Sequence, residues 1–375
     1  MSGLKRVAIV TVCAVVLVVA GMSFAPGEVQ KRAIVLGLGL DFDNRDGGVF
    51  LLTAEVVSPG NGGEQVGVFS KVISAEGRSV GEAVFHISER TGKEPSLGQC
   101  GVLVLGRSLF AARDFTDVVD YFAYSDSFKE TAVVCCADDA GKLFGCVDVL
   151  NKSVSLALVQ TLRERYKDIA LPSDTLLRFA RSQAELTRTG YLNYAEFVPT
   201  NNTDEQATDK ENGYFTYGKT AVFRSGEFVA ELSGEEQSGF ALLDEAVTGS
   251  TMSVEHDGKT YALRVNGKKV DKTYRDGEID LNVTLQVKLA RADSADVGGN
   301  FSAKNDEQIP QEMLEAFRAD AEGRIRAFVD KQQAYNFDIA GFHELMRRKY
   351  GTNETTCNLP MSQLKVNLTV DVTEK

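Results

Sequence analysis

The stretch AIVLGLGLDFD, residues 33 to 43, decides how the amino-terminal half is read. It is an apolar run broken by Gly37 and Gly39 and closed by Asp41 and Asp43, so it is either a phosphate loop or a strand. The dinucleotide fingerprint needs a third glycine, and Phe42 stands where it would fall, which keeps a pyrophosphate off that backbone. An EF-hand loop alternates its oxygen ligands before a glycine, and Asp41, Asp43 and Asp46 lose that alternation at Arg45. What remains is a buried strand, RAIVLGLGLD, a polar turn, NRDGG, and a second strand, VFLLTAEVV. Together they read as a β-hairpin, in which the glycines thin a buried strand and the acids end it at the surface.

Working outward, VFSKVISAEG is a third strand, ended by Gly77. RSVGEAVFHISERTG places Val80, Ala83, Val84 and Ile87 at helical spacing, with Ser79 as N-cap and Gly92 as the stop. CGVLVLG is a short strand, SLFAARDFTDVVDYFAYS a helical stretch, ETAVVCCA a strand and DDAGKLFGCV a short helix, giving the order β-β-β-α-β-α-β-α. Residues 153–197 are predicted helical on both sides of Pro172, with Ser173 or Asp174 as cap of the second helix, and VPTNNTDEQATDKENGY is an exposed linker rich in turn formers. The second half begins with strands: FTYGKTAVFRSGEFVAELS with RSGE as a hairpin turn, then GFALLDE, residues 250–254, KTYALRVNGKKV and EIDLNVTLQVKLARA. Met313, Phe317, Ala321, Ile325 and Phe328 recur every three to four residues, predicting a long amphipathic helix, followed by a shorter helix and a closing strand, LKVNLTVDV.

The chain has 375 residues, enough for two or three domains with a sizeable core. Its net charge is −12, from 53 acidic and 41 basic side chains, so it lacks the positive field that would hold a nucleic-acid backbone. Lys5 and Arg6 precede an uncharged, mostly apolar run from Val7 to Ala25, long enough to cross a bilayer. Positive charge ahead of the run favours a cytoplasmic amino end and places the rest outside the cytoplasm. A cleaved signal ending at Ala25 is the alternative, and Pro26 directly after the cut argues against it. The expected fold class is therefore α+β: a membrane-anchored multidomain ectodomain with mixed and antiparallel sheets flanked by helices. Its parts are an anchor or signal segment at 1–30, an α+β domain at 31–152, a helical connector and polar linker at 153–212, and a C-terminal α+β domain at 213–375 open to division into two lobes.

Catalytic chemistry finds no home. Outside the apolar run stand Cys100, Cys135, Cys136, Cys146 and Cys357, an odd number for a disulfide framework. Cys135 and Cys136 are adjacent in a strand, so they point to opposite faces and read as small buried hydrophobes. His86, His256 and His343 are scattered, and none belongs to a metalloprotease or nucleophile–base signature. The acid pairs Glu235/Glu236 and Asp138/Asp139 read as solvated surface rather than acid–base machinery. No catalytic, cofactor-binding or metal-ligating residue is assigned, no cofactor is expected, and the chain is read as no enzyme.

Six ordered stretches carry a resemblance. These are KRAIVLGLGLDFD, GVFLLTAEVVSPG, GRSVGEAVFHIS, CGVLVLGRSLF, GKTAVFRSGEFVAELSGEEQSGFALL and NFDIAGFHELMRRKYG. Taken in order, they resemble the Ger(x)C family, the C subunits of bacterial spore germinant receptors. The resemblance implies a non-enzymatic subunit of a nutrient receptor required for spore germination. It also implies an ectodomain on the outer face of the cytoplasmic (inner spore) membrane and integral membrane partners of the A and B types. Two departures stand out. Family members usually carry a lipidated cysteine before the first strand, whereas VVAGMSFAPGEVQKR has none, so the helix itself must anchor the chain. The family also tends to carry an arginine and further charges where this chain has YFAYSDSFKETAVV, so Asp126 and Lys129 correspond only in part. A sensing or assembly subunit outside sporulation, or a wall hydrolase, are the competing readings.

Overall fold

The computed structural model describes residues 31–58, 69–111, 115–148, 153–165, 174–185, 187–199, 212–244, 247, 249–256, 259–275, 277–293, 309–351 and 359–374. The anchor expected at residues 7–25 and most of the expected linker lie outside them. Among the described residues, no helix is long and apolar enough to cross a membrane.

In chain order the first region contains β1 (Arg32–Asp43), β2 (Val49–Ser58), β3 (Phe69–Gly77), α1 (Val80–Thr91), β4 (Glu94–Ser96), β5 (Val102–Gly106), α2 (Phe115–Ala123), β6 (Val133–Ala137), α3 (Ala140–Gly145), β7 (Val147–Asp148), α4 (Val154–Val159), β8 (Asp174–Thr175), α5 (Leu176–Ala184), β9 (Thr189–Tyr194) and β10 (Glu196–Pro199). There follow β11 (Asn212–Thr216), β12 (Lys219–Arg224), β13 (Glu227–Ser233), α6 (Gly234–Leu243), β14 (Thr251–His256), β15 (Lys259–Arg275), β16 (Glu278–Asp293), α7 (Gln311–Ala334), α8 (Phe342–Tyr350) and β17 (Lys365–Glu374). The fold is α+β, with mixed sheets flanked by helices.

The hairpin expected from residues 33–57 forms, with Leu40 opposite Leu52. It seeds a mixed sheet of order β13-β12-β9-β6-β5-β1-β2-β3, to which β4 and β8 add at the sides. Its centre, β1-β5-β6-β9, is parallel. Helices cover both faces there, which is why β5 and β6 read as unbroken apolar runs. One face packs beneath α1, α2 and α5, the other beneath α3 and α4. Cys136 faces the first side and Cys135 the second, as adjacent strand residues must.

Gly37 and Gly39 do thin the strand. A Cβ at Gly37 would lie 2.3 Å from the Ser155 hydroxyl of α4, and one at Gly39 would lie 2.9 Å from the Phe144 ring of α3. The acids depart from expectation. Asp43 is at the surface with Arg45, whereas Asp41 is 9% exposed and accepts the Ala140 and Gly141 N–H groups at 3.1 and 2.8 Å. It therefore caps α3 from inside the sheet. Glu55 on β2 does the same for α4: it is buried and accepts from Ser155 N at 2.8 Å, Ser155 Oγ at 2.5 Å and Ser70 Oγ at 2.6 Å.

Two sequence expectations are corrected. Residues 189–197, expected as helix, form β9 and the start of β10. Every residue of β9 is buried, so it lacks the alternation that marks a strand with one solvated face. GFALLDE, expected as strand, lies mostly in α6, where Glu236 returns a carboxylate to Ser233 N at 3.2 Å in a capping box. The RSGE turn holds, with Ser225 and Gly226 both at positive φ as a type I′ turn requires.

The second sheet, β14-β15-β16-β17, shows clean alternation in β16, where Leu281, Val283, Leu285 and Val287 are buried. The long helix forms as expected, burying Met313, Phe317, Ala321, Ile325 and Phe328. It crosses α6 so closely that a Cβ at Gly239 would meet the Arg324 carbonyl at 2.0 Å. A single core joins Tyr191, Val222, Ala230 and Leu232 of the first sheet to α6, α7 and the second sheet.

Candidate functional site

On one flank, a cleft of about 1260 Å³ opens between α5 with its following turn and the 338–348 segment leading through α8. The first wall is built from Asp174 onward. Thr175 caps α5 by accepting Arg178 N at 3.4 Å, and Arg178 and Arg181, three apart, share one stripe of the helix that Asp174 precedes. The Asp174 side chain is 5% exposed, with Arg178 Nε at 3.3 Å and Thr175 N donating at 2.8 Å. Burial dominates and pushes its carboxyl up to about 7; Arg178 and the Thr175 N–H oppose the rise, and Asp244 adds to it.

The opposite wall is held by Asp338. Its Oδ1 accepts Phe342 N at 3.0 Å and its Oδ2 accepts His343 N at 2.7 Å, capping α8. The same Oδ2 takes the His343 ring Nδ1 at 2.8 Å, while Nε2 donates to the Leu359 carbonyl at 2.7 Å. Burial alone would lower the imidazole pKa; the Asp338 hydrogen bond and charge and the Leu359 carbonyl outweigh it, and the net direction is upward. With a hydrogen-bond partner at each nitrogen, the ring is held in place and both nitrogens are engaged. Glu344 on α8 binds Arg347 and Arg348; the Arg347 hydrogen bond leads in holding its carboxyl down at about 2.

The walls thus carry Arg178, Arg181 and Arg188 facing Arg347 and Arg348, against Asp174, Glu185, Asp338 and Glu344. In a chain of net charge −12 this is a local cationic excess. Ser182 and Thr189 give their hydroxyl protons to backbone carbonyls, so neither is poised beside a base. The arrangement suits recognition through charge and hydrogen bonds rather than covalent chemistry.

The residues weighed from sequence are dispersed. His86 bonds the Glu76 carbonyl on the outside of α1, and His256 ends β14. His343, read as a helix-surface or packing residue, packs. Asp139 caps α3 through Lys142 N, Asp138 stands near Arg107, and Glu236 pairs with Lys331. Sequence reasoning offered Asp174 only as a cap for the helix after Pro172, a place that Thr175 takes, and did not single out Asp338, although NFDIAGFHELMRRKYG, quoted for the family resemblance, contains the Asp338–His343 pair.

Comparison with known proteins agrees with this architecture. The family described as "Spore germination protein N-terminal domain" matches residues 27–197, and "Spore germination B3/ GerAC like, C-terminal" matches residues 218–373. Among solved structures, one described as "Crystal Structure of the GerBC protein" is similar with a TM-score of 0.53 at 16% identity, over 91% of this chain and 98% of that one. Among curated proteins none matches. With both family regions present in order and together spanning most of its length, this chain belongs to the GerAC family of spore germination proteins.

Proposed function

We propose that the chain is the non-enzymatic, membrane-anchored subunit of a germinant receptor, working with two integral membrane subunits of the A and B types. The reading rests on the two family regions lying in order along the chain. A cleft whose histidine has both nitrogens engaged is consistent with it. The apolar run from Val7 to Ala25 anchors the chain, with Lys5 and Arg6 on the cytoplasmic side and the folded part outside. Deleting the gene should leave spores viable but slow to respond to a particular nutrient. An unchanged response to every nutrient tried, with paralogues also removed, would overturn the proposal, and release of soluble fragments from wall polymer by the purified protein would favour a hydrolase. Topology has its own check: an intact amino terminus in the membrane fraction supports the anchor, and a soluble chain starting at Pro26 refutes it.

A further inference from the structure

The segment YFAYSDSFKETAVV begins at the end of α2, which lies beside α1 on the outside of the first sheet. A Cβ at Gly81 on α1 would be 3.6 Å from the Tyr121 ring of α2, so the two helices meet there. Around this contact stand three aromatic side chains open to solvent: Phe85 at 60% exposed, Tyr121 at 38% and Tyr124 at 74%. Phe85 follows Gly81 by one turn on α1, and Tyr124 follows Tyr121 by one turn at the end of α2, so they extend the same seam.

Acids alternate with these rings at one-turn spacing: Glu89 after Phe85, Asp117 before Tyr121 and Asp120 before Tyr124. Asp117 and Asp120 have no cationic partner among the described residues. Asp120 is partly desolvated with Asp117 beside it, and both effects raise its carboxyl pKa. Exposed aromatic area rimmed by carboxylates without a cationic side chain beside them has the make-up of a docking face, apolar anchors within a charged rim.

We propose that the α1/α2 seam, with Phe85, Tyr121 and Tyr124 as anchors and Asp117 and Asp120 at the rim, docks a cationic, apolar segment of another protein. The aromatic rings supply rigid contact area at small entropic cost, and the carboxylates select a lysine- or arginine-bearing partner. The same acids repel an anionic lipid surface, which favours a protein occupant over the bilayer. This assignment deepens the receptor-subunit reading by naming the face through which the subunit meets a partner.

The test uses the full chain in native membranes with a photo-crosslinking amino acid in place of Tyr124, and a second at Tyr335, an exposed aromatic elsewhere, as control. Light should join the Tyr124 position, and not Tyr335, to a segment of another protein rich in lysine or arginine. Combining Asp117→Lys with Asp120→Lys should cut that yield by roughly tenfold or more while leaving the amount of membrane-bound chain and its circular dichroism unchanged. Should the double reversal fail to fold, Phe85→Ser serves instead: the side chain is mostly exposed and its loss should lower the yield without unfolding the helix. Crosslinks to lipid only, to a second copy of this chain or to an acidic segment, or a yield indifferent to charge reversal, would overturn the proposal. Gene deletion reports separately on the receptor reading: a germination defect without the crosslink sinks only the docking face, whereas the crosslink without a defect sinks only the receptor role.

Discussion

Replacing Asp174 by Asn should stabilise the protein at neutral pH and change little near pH 4. The buried carboxyl moves from its ordinary 3.8 in the unfolded chain to about 7 in the folded one. Below 3.8 the group is protonated in both states and contributes nothing to the difference. Between these values the folded chain keeps a proton that the unfolded chain has released, so stability falls as pH rises; above about 7 the whole cost applies. At roughly 1.36 kcal/mol per pKa unit, the interval amounts to on the order of 4 kcal/mol. Water entering the open cleft reduces it, and about 2–4 kcal/mol is the expected gain. Asn keeps the acceptor used by Thr175 N. Urea denaturation of both proteins in mild detergent, followed by circular dichroism because the chain has no tryptophan, gives the difference at each pH. Other titrations, that of His343 included, cancel in the difference. A gap that stays flat from about pH 4.5 to pH 8 would refute the claim that Asp174 titrates near neutrality in the folded chain.

Gly106→Ala would place a Cβ 1.7 Å from Asp41 Oδ1 and 3.2 Å from the Leu40 carbonyl, displacing the cap of α3; a loss of about 2–3 kcal/mol in denaturation is expected. Gly92→Ala, at φ +64° with open space around it, should cost only about 1 kcal/mol and serves as the control. Glu55→Ala removes the acceptor for three short donors inside the sheet and should cost on the order of 3 kcal/mol or more, read the same way. Cys100 and Cys135 are fully buried, their thiols pushed up to about 12 by burial, so neither should react with iodoacetamide until urea is added, as peptide mass analysis would show. His343→Ala should destabilise more at about pH 5.5 than at pH 8.5, because a folded pKa raised above 6.5 gives stability that is full below 6.5 and is lost as pH rises through the folded value.

Where an element keeps one face wet, its pattern is visible in the residues. The alternation of β16 and the three-to-four spacing of α7 were legible for that reason. Where both faces are covered, the pattern vanishes. β9 is buried throughout and follows the amphipathic α5 closely, so its aromatic residues read as more helix. α6 buries five residues in a row, Gly239 to Leu243, because α7 and the first sheet close on it, and such a run looks like a core strand. Only Ser233 and Glu236, three apart, marked its start. The cleft was harder still. Asp174 owes its chemistry to burial, and Asp41 and Glu55 cap backbones about a hundred residues away. No local window contains those partners.

The first sheet and the layers behind it should nevertheless melt together. Separating the first sheet from α6 and the layers behind it would expose Tyr191, Val222 and Leu232 on one side and Phe240 on the other, with Tyr191 and Phe240 in edge-to-face contact at 4.8 Å. Phe240 in turn stacks on Phe328 of α7 at 5.2 Å. At roughly 1.5–3 kcal/mol for each large side chain returned to water, these residues alone account for on the order of 10 kcal/mol, which is the size of a whole domain's stability. The Arg224 guanidinium adds a bond across to the Asn336 carbonyl. Opening the halves therefore costs about as much as unfolding either one, and no half-open state should accumulate. Far-ultraviolet circular dichroism and accessibility of Cys135 in the first sheet should trace one urea transition with a common midpoint. Early exposure of Cys135, with the helical signal of α7 still intact, would show that the shared core does not couple them.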